Sequence, residues 1–215
     1  GNSNLNSETS NSFQSSLNYL FSNKQNINLS LNIEAFFNDL KNKITLVEIE
    51  DTDVSTYYNI EGVKYYGLNT TIKSKIHFNS DVSSHFTVMW NLYKNNDSRF
   101  EYKNPENSLS VSYHYEYQPC SCGLKMNWKM KSKHEFYRLN ENDTLITDSQ
   151  EGYQLLQSNL FKYFPKIQAS LHFGIKNMLD VKDIKDVKQE NTHSGPFSTI
   201  SWGRTYFIQL NWKPF

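Results

Sequence analysis

Apolar and polar residues alternate along this chain in segment after segment. A period of two is the signature of β-strands, whose successive side chains point to opposite faces. Matching the chain to a strand template predicts about nine strands. The first sets Phe13, Ser15, Leu17, Tyr19 and Phe21 against Gln14, Ser16 and Asn18. The second sets Ile27, Leu29, Leu31, Ile33, Ala35 and Phe37 against Asn28, Ser30, Asn32 and Glu34. The third carries Tyr66, Leu68, Thr70, Ile72 and Ile76 opposite Asn69, Thr71, Lys73 and Lys75, and the fourth Phe86, Val88, Trp90 and Leu92 opposite His85, Thr87 and Asn91. In the fifth, Leu109, Val111, Tyr113, Tyr115 and Tyr117 alternate with Ser110, Ser112, His114, Glu116 and Gln118. The sixth pairs Leu124, Met126, Trp128 and Met130 with Lys125, Asn127, Lys129 and Lys131.

In the seventh segment, Tyr153 to Phe164, the doublet Leu155-Leu156 breaks phase, which predicts a bulge. The eighth, after a Pro165-Lys166 turn, opposes Ile167, Ala169, Leu171, Phe173 and Ile175 to Gln168, Ser170, His172, Gly174 and Lys176. The ninth runs from Gly203 to an aromatic C-terminus, with Tyr206, Ile208, Leu210 and Trp212 on one face and Thr205, Gln209, Asn211 and Lys213 on the other. Pro214 puts Phe215 out of phase with that apolar face. Short turns at Asn23 to Asn26, Phe78 to Asp81, Pro119 to Gly123 and Pro165-Lys166 interleave with long polar loops at Asn38 to Tyr58, Asn95 to Asn107, Asn140 to Gly152 and Leu179 to Trp202. In an up-and-down sheet these fall on opposite rims, the pattern of short periplasmic turns and long extracellular loops. The fold class expected is therefore all-β, an antiparallel transmembrane barrel with one face to lipid and one to a wet lumen. A soluble barrel or sandwich also alternates, but it buries its apolar face and must fill that volume.

Composition narrows this only in places. Mean hydropathy is -0.69 and formal net charge is zero. No run approaches the ~18 to 20 apolar residues of a spanning helix, and window averages are blind to strands that are half polar. Aromatic residues make up 15% of the chain, with fourteen Tyr and fourteen Phe, as strands and interfacial girdles require. Balanced charge argues against nucleic acid as a partner. Gly1-Asn2-Ser3-Asn4 has neither a basic start nor an apolar core, so the N-terminus is expected to be cut or processed. Cys120 and Cys122, in a Pro-Cys-Ser-Cys-Gly turn, are too few for a disulfide scaffold or a structural zinc site, leaving a local disulfide or two thiols.

The C-terminal third carries a resemblance. His172-Phe173-Gly174-Ile175-Lys176-Asn177-Met178-Leu179-Asp180-Val181, a loop with His193-Ser194-Gly195, and Trp202-Gly203-Arg204-Thr205-Tyr206-Phe207 resemble the closing strands of TonB-dependent outer-membrane receptors. The family motif of an Asn-apolar-apolar-Asp turn, a Gly-Arg pair and a terminal aromatic falls on Asn177, Asp180, Gly203, Arg204 and Phe215. Ala35 to Asn42 and Asn59 to Leu68 look, more loosely, like a mid-barrel strand pair of the family. The resemblance implies a cell outer-membrane location and a membrane-assembly signal in Tyr206, Ile208, Leu210, Trp212 and Phe215, read by the barrel-assembly machinery. It also implies energised uptake of a scarce ligand: a ferric chelate, a cobalamin-like cofactor, an oligosaccharide or a peptide. Further partners implied are a plug domain, outer-membrane lipid, the TonB complex acting through an N-terminal part, and a surface lipoprotein on the loops.

Nine antiparallel strands do not close a bacterial up-and-down barrel, which takes an even number. Residues 1–215 are therefore expected to be one segment, the C-terminal strands of a barrel of about 22, with plug and earlier strands outside the chain. Two other readings stay open: a self-contained small outer-membrane barrel acting as adhesin or enzyme, and a soluble β-barrel binding protein. On the lumen face, Lys73, Lys75, Lys125, Lys129, Lys131 and Lys176, with His114 and His172, could guide an anionic ligand, pair with acidic plug groups, or merely solvate the wall. The six histidines show no metal spacing, and no nucleophile, zinc-protease or phosphate-loop motif is present. Neither catalysis nor a cofactor is expected.

Overall fold

A computed structural model of the chain describes residues 2–23, 26–49, 54–97, 99–100, 105–140, 142–185, 197–199 and 203–213. In chain order the strands are β1 (Thr9–Asn23), β2 (Ile27–Lys41), β3 (Lys43–Ile49), β4 (Ser55–Ile60), β5 (Val63–His77), β6 (Val82–Asn95), β7 (Glu106–Tyr117) and β8 (Cys122–Lys131). They continue as β9 (His134–Leu139), β10 (Leu145–Gln150), β11 (Tyr153–Phe164), β12 (Ala169–Lys176), β13 (Asp183–Lys185), β14 (Phe197–Thr199) and β15 (Thr205–Trp212). No helix among the described residues is long and apolar enough to cross a membrane, which says nothing of crossing by strands.

Nine strands form one antiparallel sheet in the order β1-β2-β5-β6-β7-β8-β11-β12-β15. They are the nine read from the sequence. Their registers align the two faces across the whole width. One row runs Tyr19, Leu31, Ile72, Val88, Val111, Trp128, Leu156 through seven strands. The neighbouring row runs Leu20, Ser30, Lys73, Thr87, Ser112, Asn127, Gln157. A one-residue slip would exchange these rows, so the pattern fixes the register.

Burial is inverted relative to a water-soluble sandwich. Leu17 is 61% and Ile208 74% exposed on the apolar face of the sheet. The fully buried side chains, Val47, Ile60 and Val63, gather with Tyr65, Phe100, Tyr137 and Leu139 at the rim of the long connections. An apolar face of this width left bare in water would be an association surface; it is what a bilayer covers.

Three expectations need correction. β11 pairs with β8 without interruption from Tyr153↔Lys131 to Lys162↔Cys122, so there is no bulge at Leu155-Leu156. Leu155 takes the polar face and Leu156 the apolar face, and phase is kept at the cost of a polar Ser158 and Lys162 on the apolar side. Ile167 is not in the eighth strand but in a 3-10 turn, Pro165–Ile167, closed by Gln168 at φ 47. The Gln118–Cys120 turn is built the same way, with proline early and Ser121 left-handed at φ 50, and Cys120 and Cys122 there are disulfide-bonded. Finally, the long connections are not plain loops. That between β2 and β5 holds the β3/β4 hairpin and that between β8 and β11 holds β9/β10. The two hairpins join into a four-stranded sheet, β10-β9-β3-β4, through a parallel contact of only Glu48↔Arg138 and Ile49↔Leu139.

Candidate functional site

β2 and β8 are separated in the large sheet by β5, β6 and β7. Their hairpins lean together above those three strands and meet only near their tips, which makes an arch. Below the meeting point β3 and β9 diverge, and the space between them is a cavity of about 570 Å³. Its floor is Tyr65, Tyr93, Asn95 and Glu106, residues in phase with the polar face of β5, β6 and β7. Lys43, Thr45 and Glu48 of β3 form one side, and His134, Phe136 and Arg138 of β9 the other. The arch thus overhangs the polar side of the sheet.

Buried polar contacts hold it. Arg138 donates from Nη1 to Asp148 Oδ2 at 2.8 Å and from Nη2 to Glu48 Oε2 at 3.2 Å, tying β9 to β10 and β3. The Arg138–Asp148 pair is almost wholly out of water, so removing either member alone would strand a buried charge. Beneath, the Arg99 guanidinium reaches Asp97 at 2.6 Å and the Tyr137 hydroxyl donates to the same carboxylate. Burial alone would raise the Asp97 carboxyl, but the hydrogen bonds from Arg99 and Tyr137 hold it below the usual range. Burial pushes the Tyr137 phenol up, so it stays a donor. The Lys43 ammonium bonds the Tyr65 hydroxyl. His134 is pushed down to about 4 by burial and then by Lys131, whose Nζ lies 3.4 Å from its Nε2.

The motif residues of the last two strands converge into a clamp on the same rim. Asn177, at φ 50, donates from Nδ2 to the Val181 carbonyl at 2.6 Å and accepts the Val181 N–H at 3.1 Å. Asp180, at φ 57, accepts the Arg204 N–H at 2.8 Å, and Arg204 donates from Nε and Nη2 to the Met178 carbonyl at 3.0 and 2.7 Å. Gly203 sits at φ 81, and a Cβ there would lie 2.9 Å from Asp180 Oδ1. Only glycine suits both demands. The Arg204 N–H, aided by Lys182, holds the Asp180 carboxyl below its ordinary value. The clamp carries the chain from the end of β12 to the start of β15. Beyond it, Tyr206, Ile208, Leu210 and Trp212 share one face and pair with Ile175, Phe173, Leu171 and Ala169. Pro214 and Phe215 lie outside the described residues, as do His193-Ser194-Gly195 and Trp202.

The basic and imidazole residues on the polar face are only partly brought together. Lys75, His85, His114 and Lys125 stand in one register row, and Lys73 lies two residues along β5. Lys129 and Lys131 sit further up β8, and Lys176 stands on β12, with its ammonium 5.4 Å from the Phe207 ring centroid. His172 joins a line of rings instead: His85 to His114 at 5.6 Å, His114 to Phe161 at 5.5 Å, Phe161 to His172 at 6.0 Å. Sequence reading missed a second regularity there. Phe36, Phe161 and Phe207 lie directly opposite Gly67, Gly123 and Gly174, and a Cβ on each glycine would come within 2.8, 2.6 and 2.6 Å of the phenyl ring. The rings occupy the space a side chain would take at each glycine, which a pairing of neighbouring strands would have revealed only once the register was known. Among the described residues, no group of three or more His, Cys, Asp or Glu is placed to hold a metal ion.

A wide antiparallel sheet with one apolar and one polar face, short turns on one rim and structured connections on the other, is the wall of an outer-membrane β-barrel. The chain belongs to the TonB-dependent receptors: residues 1–178 match the family described as TonB dependent receptor-like, beta-barrel. The family is one of outer-membrane receptors and transporters, whose barrels work with a plug and with TonB. The match covers the strands whose sequence resemblance is loose and ends at Met178, within the clamp. A search of curated proteins found no match.

Proposed function

We propose that this chain supplies the wall and extracellular connections of a larger barrel of about 22 strands that takes up a scarce ligand using energy delivered through TonB. The observation that carries this reading is the strand order. β1 and β15 stand at opposite ends of a nine-stranded meander, and in an odd meander they run parallel, so they do not close on each other as antiparallel neighbours. Each bare edge in hydrocarbon would cost several kcal/mol per unsatisfied group, so further strands must meet both. The lipid-facing row of β15, Tyr206 to Trp212, together with Phe215, would be read by the barrel-assembly machinery. Lys73, Lys75, Lys125, Lys129, Lys176, His114 and His172 would face the plug or passing ligand. Lys131 stands next to the arch, where the ligand is first held and where a surface lipoprotein would cover it.

The test is the native outer-membrane species bearing this sequence. Its intact mass should far exceed 25.3 kDa, and the purified species should bind the periplasmic domain of TonB. A 25.3 kDa species that is folded and heat-modifiable on its own, with no affinity for TonB, overturns the reading.

A further inference from the structure

The apolar face of the wall ends differently at its two rims. On β2 the odd positions run apolar to Phe37 and then continue as Asp39 and Lys41. On β5 the matching positions read Lys64, Tyr66 and Leu68 from the same rim inward, and on β6 they end in Trp90, Leu92 and Lys94. These three strands are neighbours in the sheet, and the rim is the one that carries the arch. At the opposite rim the same strands end that face in Ile27, Ile76 and Val82, with no charge. The registers tie the cations together: Lys64 stands directly opposite Asp39, Lys41 lies two residues beyond Asp39, and Lys94 is opposite Tyr66. Lys41 and Lys94 are thus each a diagonal neighbour of Lys64, at about 7 to 8 Å, within reach of long side chains.

Depth and charge decide what meets them. Two residues along a strand tilted by about 40° climb roughly 5 Å across a bilayer, so the lysines lie within roughly 10 Å of the last apolar pair, Phe37 and Tyr66. That is headgroup depth. Trp90, on the same face of β6, donates from Nε1 to Asn107 Oδ1 at 2.7 Å, as an interfacial aromatic with one wet end does. Asp39 Oδ2 lies 3.7 Å from Lys64 Nζ, a long contact in which the Lys64 side chain is 52% exposed. Such a pair holds its members weakly. Among the described residues, Lys41 and Lys94 make no ion pair. Glu61, in the turn before β5, acts on Arg99 instead, which is itself held by Asp97. The strip therefore presents three ammoniums against one carboxylate, and excess positive charge at headgroup depth calls for an anion supplied by the lipid.

Resting on the reading of this chain as receptor wall, we infer that Lys41, Lys64 and Lys94 bind the phosphate groups of lipid A, the phosphorylated glycolipid anchor of lipopolysaccharide in the outer leaflet. Lysine takes phosphate as a point charge, and three on adjacent strands can share one phosphate or span two. Phospholipid phosphates of the inner leaflet meet the opposite rim, where this face of the same strands ends uncharged. The experiment is native mass spectrometry of the full receptor in detergent, titrated with bisphosphorylated lipid A, with the same lipid A stripped of phosphate, and with phosphatidylglycerol. Bisphosphorylated lipid A stays bound and its retention falls as salt rises. Each of Lys41→Gln, Lys64→Gln and Lys94→Gln weakens it about fivefold, the size of one lysine near an anionic lipid surface. Lys64→Arg, which keeps the charge, retains binding, and Lys162→Gln, on the apolar face of β11 near the other rim, leaves it unchanged. Heat-modifiability confirms that the variants fold. Equal retention of the dephosphorylated lipid overturns the inference, as does retention that the glutamine variants leave unchanged. Phosphatidylglycerol held as tightly as lipid A overturns it too. Each of these outcomes leaves the receptor reading intact, since mass and TonB binding test that separately.

Discussion

At the residue scale, this wall is governed by positions where a side chain is absent. Gly123 lies under the Phe161 ring, with the Tyr115 carbonyl on its other side. The ring in turn stacks near His114 and His172 and receives the Lys125 ammonium at 5.0 Å. A methyl group here must displace both ring and backbone. Gly123→Ala should destabilise the folded barrel by about 1 to 3 kcal/mol, the range of overpacked sites. Denaturant unfolding of the full receptor in detergent measures this, and Phe161→Leu in the same background should recover part of the loss by vacating the space. A Gly123→Ala barrel as stable as the parent would show that the ring has room to move. Gly203 was legible from the Gly-Arg motif, because a motif names a position without needing its partners. Gly67, Gly123 and Gly174 were not, because what constrains them is a residue on the adjacent strand.

At the element scale, the strands of the wall could be read because each is long enough for period two to outlast an irregularity. β11 is the informative case: Leu155-Leu156 looks like a broken phase, yet the register is continuous and one leucine simply occupies the polar face. The arch was illegible for the opposite reason. β3 and β9 touch at two residue pairs separated by some ninety positions, and short polar segments in a long connection carry no period strong enough to count. The cavity inherits that opacity, since its lining is drawn from seven strands and Phe100. The arch also has a pH response of its own. His134 is lowered from 6.5 to about 4 by burial and by Lys131, so the folded arch disfavours the charged imidazole. Between those values the unfolded segment binds the proton more readily, and stability is lost as pH falls from about 6.5 toward 4. Asp97, held below the usual carboxylate range, gives way only at lower pH. Hydrogen exchange of β3, β9 and β10 should therefore quicken across that window while β7 and β8 stay protected, and His134→Phe should flatten the response. Equal exchange of the arch at pH 7 and pH 4.5, relative to intrinsic rates, would contradict this.

At the scale of the whole molecule, the buried core of the described residues lies in the arch, and the membrane supplies what the nine-stranded wall lacks. The apolar row from Tyr19 to Leu156 and the polar row from Leu20 to Gln157 are one residue apart on every strand they cross, so a single assignment of faces decides the account. β7, flanked by β6 and β8 and the most regular in alternation, is the place to decide it. The direct measurement is quenching of a fluorophore placed at successive positions of β7 in the full receptor reconstituted in bilayers, by lipid-bound and by water-soluble quenchers. Positions 109, 111, 113 and 115 should be quenched from the lipid and positions 108, 110, 112 and 114 from water. Water access at both sets, or lipid access at the serine positions, would contradict the assignment of this sheet as a membrane wall.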